Sequence, residues 1–247
     1  MPITPSQAAN NGVPAPEASV RARQLVDEMR QELAGVEDQI RKLPYFAMLE
    51  SGQLPLNRLA SLACEQYSVI TSDLRSCALL LSRFGTTVAG MFFKGILEGE
   101  LSAFGLLLDF AKALGLNEEA LQAYEPRAGA QAYPAYVAWL AAYGSEAETS
   151  AAFLMNFPVF GESMGRISAA LRKHHGLTAD STRFLDFFAT PIEGFEDDAL
   201  AVIAVGLQHG VQPRRIKRAA RLLQGYEKLF WDTVAEENEP AAAGENP

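Results

Sequence analysis

The chain has 247 residues, 49% hydrophobic and 21% charged, with a formal net charge of −9. That is enough apolar chain for one substantial core. The acidic balance, with no basic stripe carrying interleaved aromatics, argues against nucleic-acid binding, and no apolar run reaches the roughly 18 residues of a membrane span.

The opening "MPITPSQAANNGVPAPEAS" has no basic segment followed by an apolar one. It reads as a disordered leader over 1–16 and not as a signal peptide, with cytoplasmic localisation as the default. Helical periodicity follows throughout. The first helix spans about 17–42 and stops before Pro44. "YFAMLESG" forms a short helical turn closed by Gly52. A long helix over 55–84 starts at Pro55, a residue suited to a first turn, and another over 86–114 stops at Gly115. Shorter helices are predicted over 117–124 and 132–143. Ser145 caps a helix reaching about 173, which Pro158 should kink. Helices over 179–188, 195–208 and 213–235 complete the pattern, and 236–247, "EENEPAAAGENP", reads as a disordered acidic tail. Short connections, no internal repeat and no Gly/Ser linker predict one all-α bundle over 17–235.

Cys64 and Cys77 lie on one predicted helix, about 20 Å apart at 1.5 Å rise per residue, too far for a disulfide within it. They read as buried thiols, with Cys77 on the apolar face. His174 and His175 in "LRKHHGL" and His209 in "QHGVQPRR" fall at helix ends, where a capping role is expected. None has a partner at metal-ligand spacing on an inward face, so no metal site and no cofactor are predicted. No GxSxG, P-loop or GxGxxG fingerprint occurs.

Helical wheels at 100° per residue carry the most information. In the last helix Ile216, Leu223, Phe230 and Val234 share one face, opposite Lys217, Arg221, Lys228 and Asp232. Glu227 falls inside the apolar sector, beside Leu223, Phe230 and Trp231, with Tyr226 at its edge. In the 86–114 helix Glu100 lies among Phe92, Ile96, Ala103, Leu107, Phe110 and Leu114. In the 55–84 helix Gln66 and Asp73, two turns apart, share the face of Leu59, Ala63, Ile70, Leu74, Cys77 and Leu81. Glu65 falls with Arg58 and Arg83 and is expected at the surface. Three carboxylates and an amide thus point inward from three helices. Burying an unpaired carboxylate costs several kcal/mol, so each needs a partner, a raised pKa or water. Two readings stand side by side: one shared polar pocket, or separate helix-edge residues and structural hydrogen bonds to tyrosines.

The ordered segments "LPYFAMLESGQLPLNRLASLACEQYSVI", "ILEGELSAFGLLLDFAKALGL", "AAFLMNFPVFGESMGRISAAL" and "RLLQGYEKLFWD" resemble the TenA/PqqC family of the heme-oxygenase-like superfamily. The last is close to that family's Y-E-x-x-F-W ending, and the resemblance covers about 38–235. It implies a single helical bundle around a central small-molecule pocket, usually in a homo-oligomer, with the terminal-helix glutamate, Glu227, acting in the pocket. The family's nucleophilic cysteine falls where this chain has Asn156, and its aspartate on the second long helix falls at Gln66. An amide cannot replace a thiol nucleophile, so pyrimidine-releasing thiaminase chemistry is not expected.

The superfamily's diiron oxidases resemble E-x6-H, E-x2-H and a late H/D/H set. Here those positions are Gln66 with Asp73, Glu100 with Ala103, and "FFATPIEGFED" without histidine, too few ligands for a diiron site. The basic, His-rich pocket of PqqC is missing, and no histidine precedes His174 to serve as a heme ligand. The resemblance therefore implies a protein that binds a small amine-bearing heterocycle in an acidic, aromatic pocket. Glu227 would be ligand contact or proton shuttle, with Gln66, Asp73, Glu100 and Asn156 as hydrogen-bonding groups. Phe157, Tyr226 and Trp231 would form walls, and Tyr67 the pocket edge. Whether the ligand is transformed stays open. The alternatives are a non-catalytic sensor or interaction protein on the same fold and, third, a carboxylate-rich non-heme iron oxidase. Neither a nucleic acid nor a membrane is expected as a partner.

Overall fold

The computed structural model describes residues 12–236, and every regular element among them is an α-helix. In chain order these are α1 (Pro16–Arg41), α2 (Pro44–Glu50), α3 (Leu56–Phe84), α4 (Gly90–Ala113), α5 (Glu118–Ala123), α6 (Ala128–Tyr143), α7 (Glu146–His174), α8 (Arg183–Ala189), α9 (Phe195–Gln208) and α10 (Pro213–Ala235). Most of the leader, 1–11, and most of the tail, 237–247, lie outside the described residues.

Local chemistry sets the boundaries. Pro16, Pro44 and Pro213 occupy first turns, where their missing N–H costs nothing. Ser145 forms a capping box with Glu148: Ser145 Oγ accepts from Glu148 N at 3.3 Å, and Glu148 Oε2 accepts from Ser145 N at 3.0 Å. Gly52 and Gly115 sit at φ 73° and 82°, the left-handed conformation that stops α2 and α4. Some starts differ from expectation. α4 begins at Gly90 because Gly85–Ala89 forms turns, with Thr87 N donating to Phe84 O. α6 begins four residues earlier than predicted, at Ala128, and α8 starts only at Arg183. α7 continues through Pro158.

α7 is the central element. Ala147 through Asn156 are all buried, as expected for a helix covered on every side. It packs against α10, α9, α8 and α2, while α3 and α4 form a hairpin leaning on α6, and α1 covers α9 and α10. Two close approaches need glycine. A Cβ at Gly161 of α7 would meet Phe188 O of α8 at 2.5 Å, and one at Gly206 of α9 would meet the Ala147 Cβ at 2.4 Å.

One expectation is corrected. Glu65 is wholly buried, not at the surface. Its Oε1 accepts from Tyr124 OH (2.8 Å), Arg127 N (3.2 Å) and Arg127 Nε (2.9 Å), while Arg127 also donates to Thr233 O. A wheel cannot see that the α5–α6 connection crosses this face of α3. Other distant segments meet the arginines that share its face on the wheel: Arg58 donates to Ala235 O at 2.7 Å, at the end of α10, and Arg83 to Gly144 O at 3.0 Å, between α6 and α7. Cys64 and Cys77 are both free and buried.

Candidate functional site

A cavity of about 750 Å³ opens into the bundle, within the usual range for small-molecule sites. Its buried end is built from five helices: Gln66 and Asp73 of α3, Glu100 of α4, Tyr133 of α6, Asn156 of α7 and Glu227 of α10 all line it. Seven residues are nearly two turns, so Gln66 and Asp73 present their side chains from one stripe of α3.

Glu227 is buried and its Oε1 accepts from Trp231 Nε1 at 2.6 Å, one turn along α10. Burial pushes its carboxyl up to about 7, against the opposing pull of the Asn156 amide and the Trp231 indole. Asn156 Oδ1 accepts from Tyr133 OH at 2.9 Å. Its Nδ2 lies near enough to Glu227 to favour the charge, yet completes no hydrogen bond. Burial also raises Glu100 to about 7, although this residue is only half-buried because part of it faces the cavity. Asp73 is held well above the usual carboxylate range, first by burial and then by Glu100. Two buried carboxylates that act on each other in this way resist ionising together, so the pair retains a proton more readily than either alone. The Tyr133 hydroxyl is raised by burial and then by Asp73, Glu227 and Glu100. Among the described residues, the buried Asp73 Oδ1 and Asn156 Nδ2 have no hydrogen-bond partner.

Towards the mouth the lining becomes aromatic and apolar. Phe157 stacks on Phe195 with ring centroids 5.3 Å apart and planes at 10°. Phe160 and Phe187 meet Phe188 edge-on, at 5.1 and 5.3 Å. Pro191 and Ile192 lie on the rim, where Arg30 Nη2 pairs with Glu196 at 2.8 Å.

Of the residues singled out in the sequence, Gln66, Asp73, Glu100, Asn156, Phe157 and Glu227 line this cavity, and three do not. Trp231 is fully buried behind Glu227 and packs on Phe46 at 5.2 Å. Tyr226 is half-buried against Tyr136 at 5.2 Å, and Tyr67 lies against Phe104 at 5.8 Å. Tyr226 and Tyr67 each adjoin a lining residue in sequence, and one helical step turns a side chain by about 100°, away from the cavity. Sequence reasoning missed Tyr133 and the mouth residues Arg30, Phe187, Ile192 and Phe195. α6 is covered by α3 on one side and α10 on another, so its pattern gives little contrast from which to choose Tyr133.

No histidine or cysteine lines the cavity, and among the described residues no three His, Cys, Asp or Glu side chains group to hold a metal ion. The Cys77 thiol is pushed up by burial, then by Asp73 and Glu100, so it is a poor nucleophile.

Solved structures share the architecture. A TenA homologue from P. horikoshii is 18% identical, with 85% of this chain and 97% of that chain covered, at TM-score 0.69. A TenA homologue from Pseudomonas syringae pv. tomato is 14% identical, with 90% and 93% covered, also at 0.69. Heme oxygenase-1 from the cyanobacterium Synechocystis, solved with heme, is 13% identical, with 85% and 90% covered, at 0.62. At such identities the likeness establishes the heme-oxygenase-like fold alone. No curated protein matches the chain significantly. The family model described as TENA/THI-4/PQQC matches residues 30–237, a span that contains every residue lining the cavity, and the chain therefore belongs to the TENA/THI-4/PQQC family.

Proposed function

We propose that the protein binds a small, cationic, amine-bearing heterocycle in this cavity, with Glu227 as the ligand contact and proton-exchanging group. One observation carries the reading: Asp73, Glu100 and Glu227, all with raised carboxyls, line a single cavity that holds no buried cation of its own. Three such groups are costly when ionised together, and a protonated ring entering the cavity relieves that cost. Glu227 titrates near neutrality, so both of its protonation states are accessible for exchange with a ring nitrogen. Trp231 fixes one oxygen, leaving the other free to meet the ligand. The unpartnered Asn156 Nδ2 supplies a donor and Asp73 Oδ1 an acceptor.

Isothermal titration with 4-aminopyridine, a cation at neutral pH, tests this. One saturable site per chain is expected, with at least tenfold weaker binding in Glu227→Gln, since a charge-assisted hydrogen bond contributes about 1.5–3 kcal/mol. Absence of saturable binding, or an unchanged affinity in Glu227→Gln, overturns the proposal.

A non-catalytic sensor is the second reading, favoured by the absence of any cysteine or histidine nucleophile from the lining. Retention of the unchanged probe after long incubation, read by mass spectrometry, would favour it. We further infer a cytoplasmic homo-oligomer. No described helix is long and apolar enough to cross a membrane, and a ladder of partly exposed rings on α6, Tyr136, Trp139 and Tyr143, offers a surface for assembly. Light scattering on the wild type and on Trp139→Ser reads this directly.

A further inference from the structure

The cavity is too large for the head group alone. At the roughly 30 Å³ that each water occupies in the liquid, about 750 Å³ holds on the order of 25 water-sized groups. A single-ring amine fills less than half of it. The chemistry of the lining also divides along its length. The ionisable and amide groups Gln66, Asp73, Glu100, Asn156 and Glu227 gather at the buried end. Buried apolar Ile70 and Phe230 lie on the same lining, and the residues that are half-buried or exposed, and so line the way out, include Phe157, Phe195, Phe187, Phe188 and Ile192. Among the described lining residues the sole basic side chain is Arg30, and its guanidinium is occupied by Glu196 at 2.8 Å and Asp27 at 3.6 Å.

From this division we infer that the ligand is an elongated amphiphile, a basic head joined to an uncharged alkyl or aromatic extension, held with the head inward. The inference rests on the proposed binding of an amine-bearing heterocycle and adds the second half of the molecule. The extension lies along the rings of Phe157 and Phe195 and against Phe187, with its tip at Ile192. An anionic extension is disfavoured, because the outer cavity offers no unpaired cation to meet a carboxylate or phosphate, and because Glu162 and Glu196 line the same rim. A longer neutral extension gains affinity with each buried methylene, roughly fourfold by the transfer free energy of a CH₂ group.

Three probes decide the matter by titration calorimetry at pH 7: 4-aminopyridine, 4-(hexylamino)pyridine, and 6-(pyridin-4-ylamino)hexanoic acid. The expected order is the hexyl compound at least 50-fold tighter than 4-aminopyridine, with the hexanoic acid no tighter than 4-aminopyridine. Ile192→Ser changes a side chain that is 60% exposed, and Phe187→Ser one that is 37% exposed, with the fold of each variant checked by its thermal unfolding. Each should cut the affinity gain of the hexyl compound over 4-aminopyridine several-fold. If 4-aminopyridine binds but the hexyl compound is no tighter, or the hexanoic acid matches it, the inference falls and the proposed function stands. If 4-aminopyridine does not bind, the proposed function itself fails, and the inference with it.

Discussion

Trp231 and Glu227 sit one turn apart on α10, and the indole Nε1 of the first donates to the carboxylate of the second at 2.6 Å. The indole is buried against Phe46, Phe160 and Phe230 and so cannot turn away. One oxygen of Glu227 is therefore fixed by its own helix, and its protonation becomes a property of the fold. Replacing Trp231 with Phe removes that donor. The Glu227 carboxyl should then rise further, and the pH dependence of 4-aminopyridine binding should move to higher pH. Loss of the hydrogen bond should also cost about 1–3 kcal/mol of stability, most of it above neutrality where the carboxylate is charged, read by urea denaturation.

Stability should fall as the pH rises through this site. Glu227 binds its proton with a pKa pushed up to about 7 in the folded protein, against 4.5 for an unperturbed glutamate. Between those values the native state holds more protons than the unfolded chain, so the slope of stability against pH is negative there. It flattens above about pH 7. The Glu227 contribution amounts to at most about 3 kcal/mol between pH 4.5 and 8. Denaturation across that window should show the decline, and Glu227→Gln should reduce it.

Binding a cation should release protons. Near pH 6.5 Glu227 is largely protonated, and the Asp73–Glu100 pair also retains protons. A cationic ligand favours the charged carboxylates and drives the protons off. Titration in buffers of different ionisation enthalpy should report roughly half a proton or more per 4-aminopyridine bound, and less in Glu227→Gln.

The Glu65–Arg127 pair predicts a large loss with no functional change. Arg127→Met leaves a wholly buried carboxylate with only Tyr124 and one backbone N–H, and a destabilisation of about 3–5 kcal/mol is expected. Adding Glu65→Leu should recover much of it, because the uncompensated charge is gone. Affinity for 4-aminopyridine should be the same in the double variant and the wild type, since neither residue lines the cavity.

The helical fold was legible because its cues are local: proline at first turns, a Ser145–Glu148 capping box, glycine at left-handed stops. The inward direction of Asp73 and Glu227 was legible for a similar reason, since each has apolar residues one turn away on both sides. Glu65 was misplaced because the α5–α6 connection and the end of α10 cover a face of α3 that carries charge. Burial by a distant segment leaves no trace in the periodicity of the helix it covers. Tyr226 and Trp231 flank Glu227 in sequence, but one rotates to Tyr136 and the other packs behind the carboxylate, so neither reaches the cavity. Tyr133 could not be chosen at all from a helix buried on two sides.

The α3–α4 hairpin brings Asp73 and Glu100 together across one short connection, whereas Glu227 arrives on the final helix of the bundle. Early local folding thus assembles the two repelling carboxylates without the third group. Only the long-range docking of α10 against α6 and α7 completes the set, and such contacts pay their loop-closure entropy before they return any stability. Recovery of ligand binding during refolding should therefore lag the recovery of helical signal, so a small cation can serve as a kinetic marker for the last step of assembly.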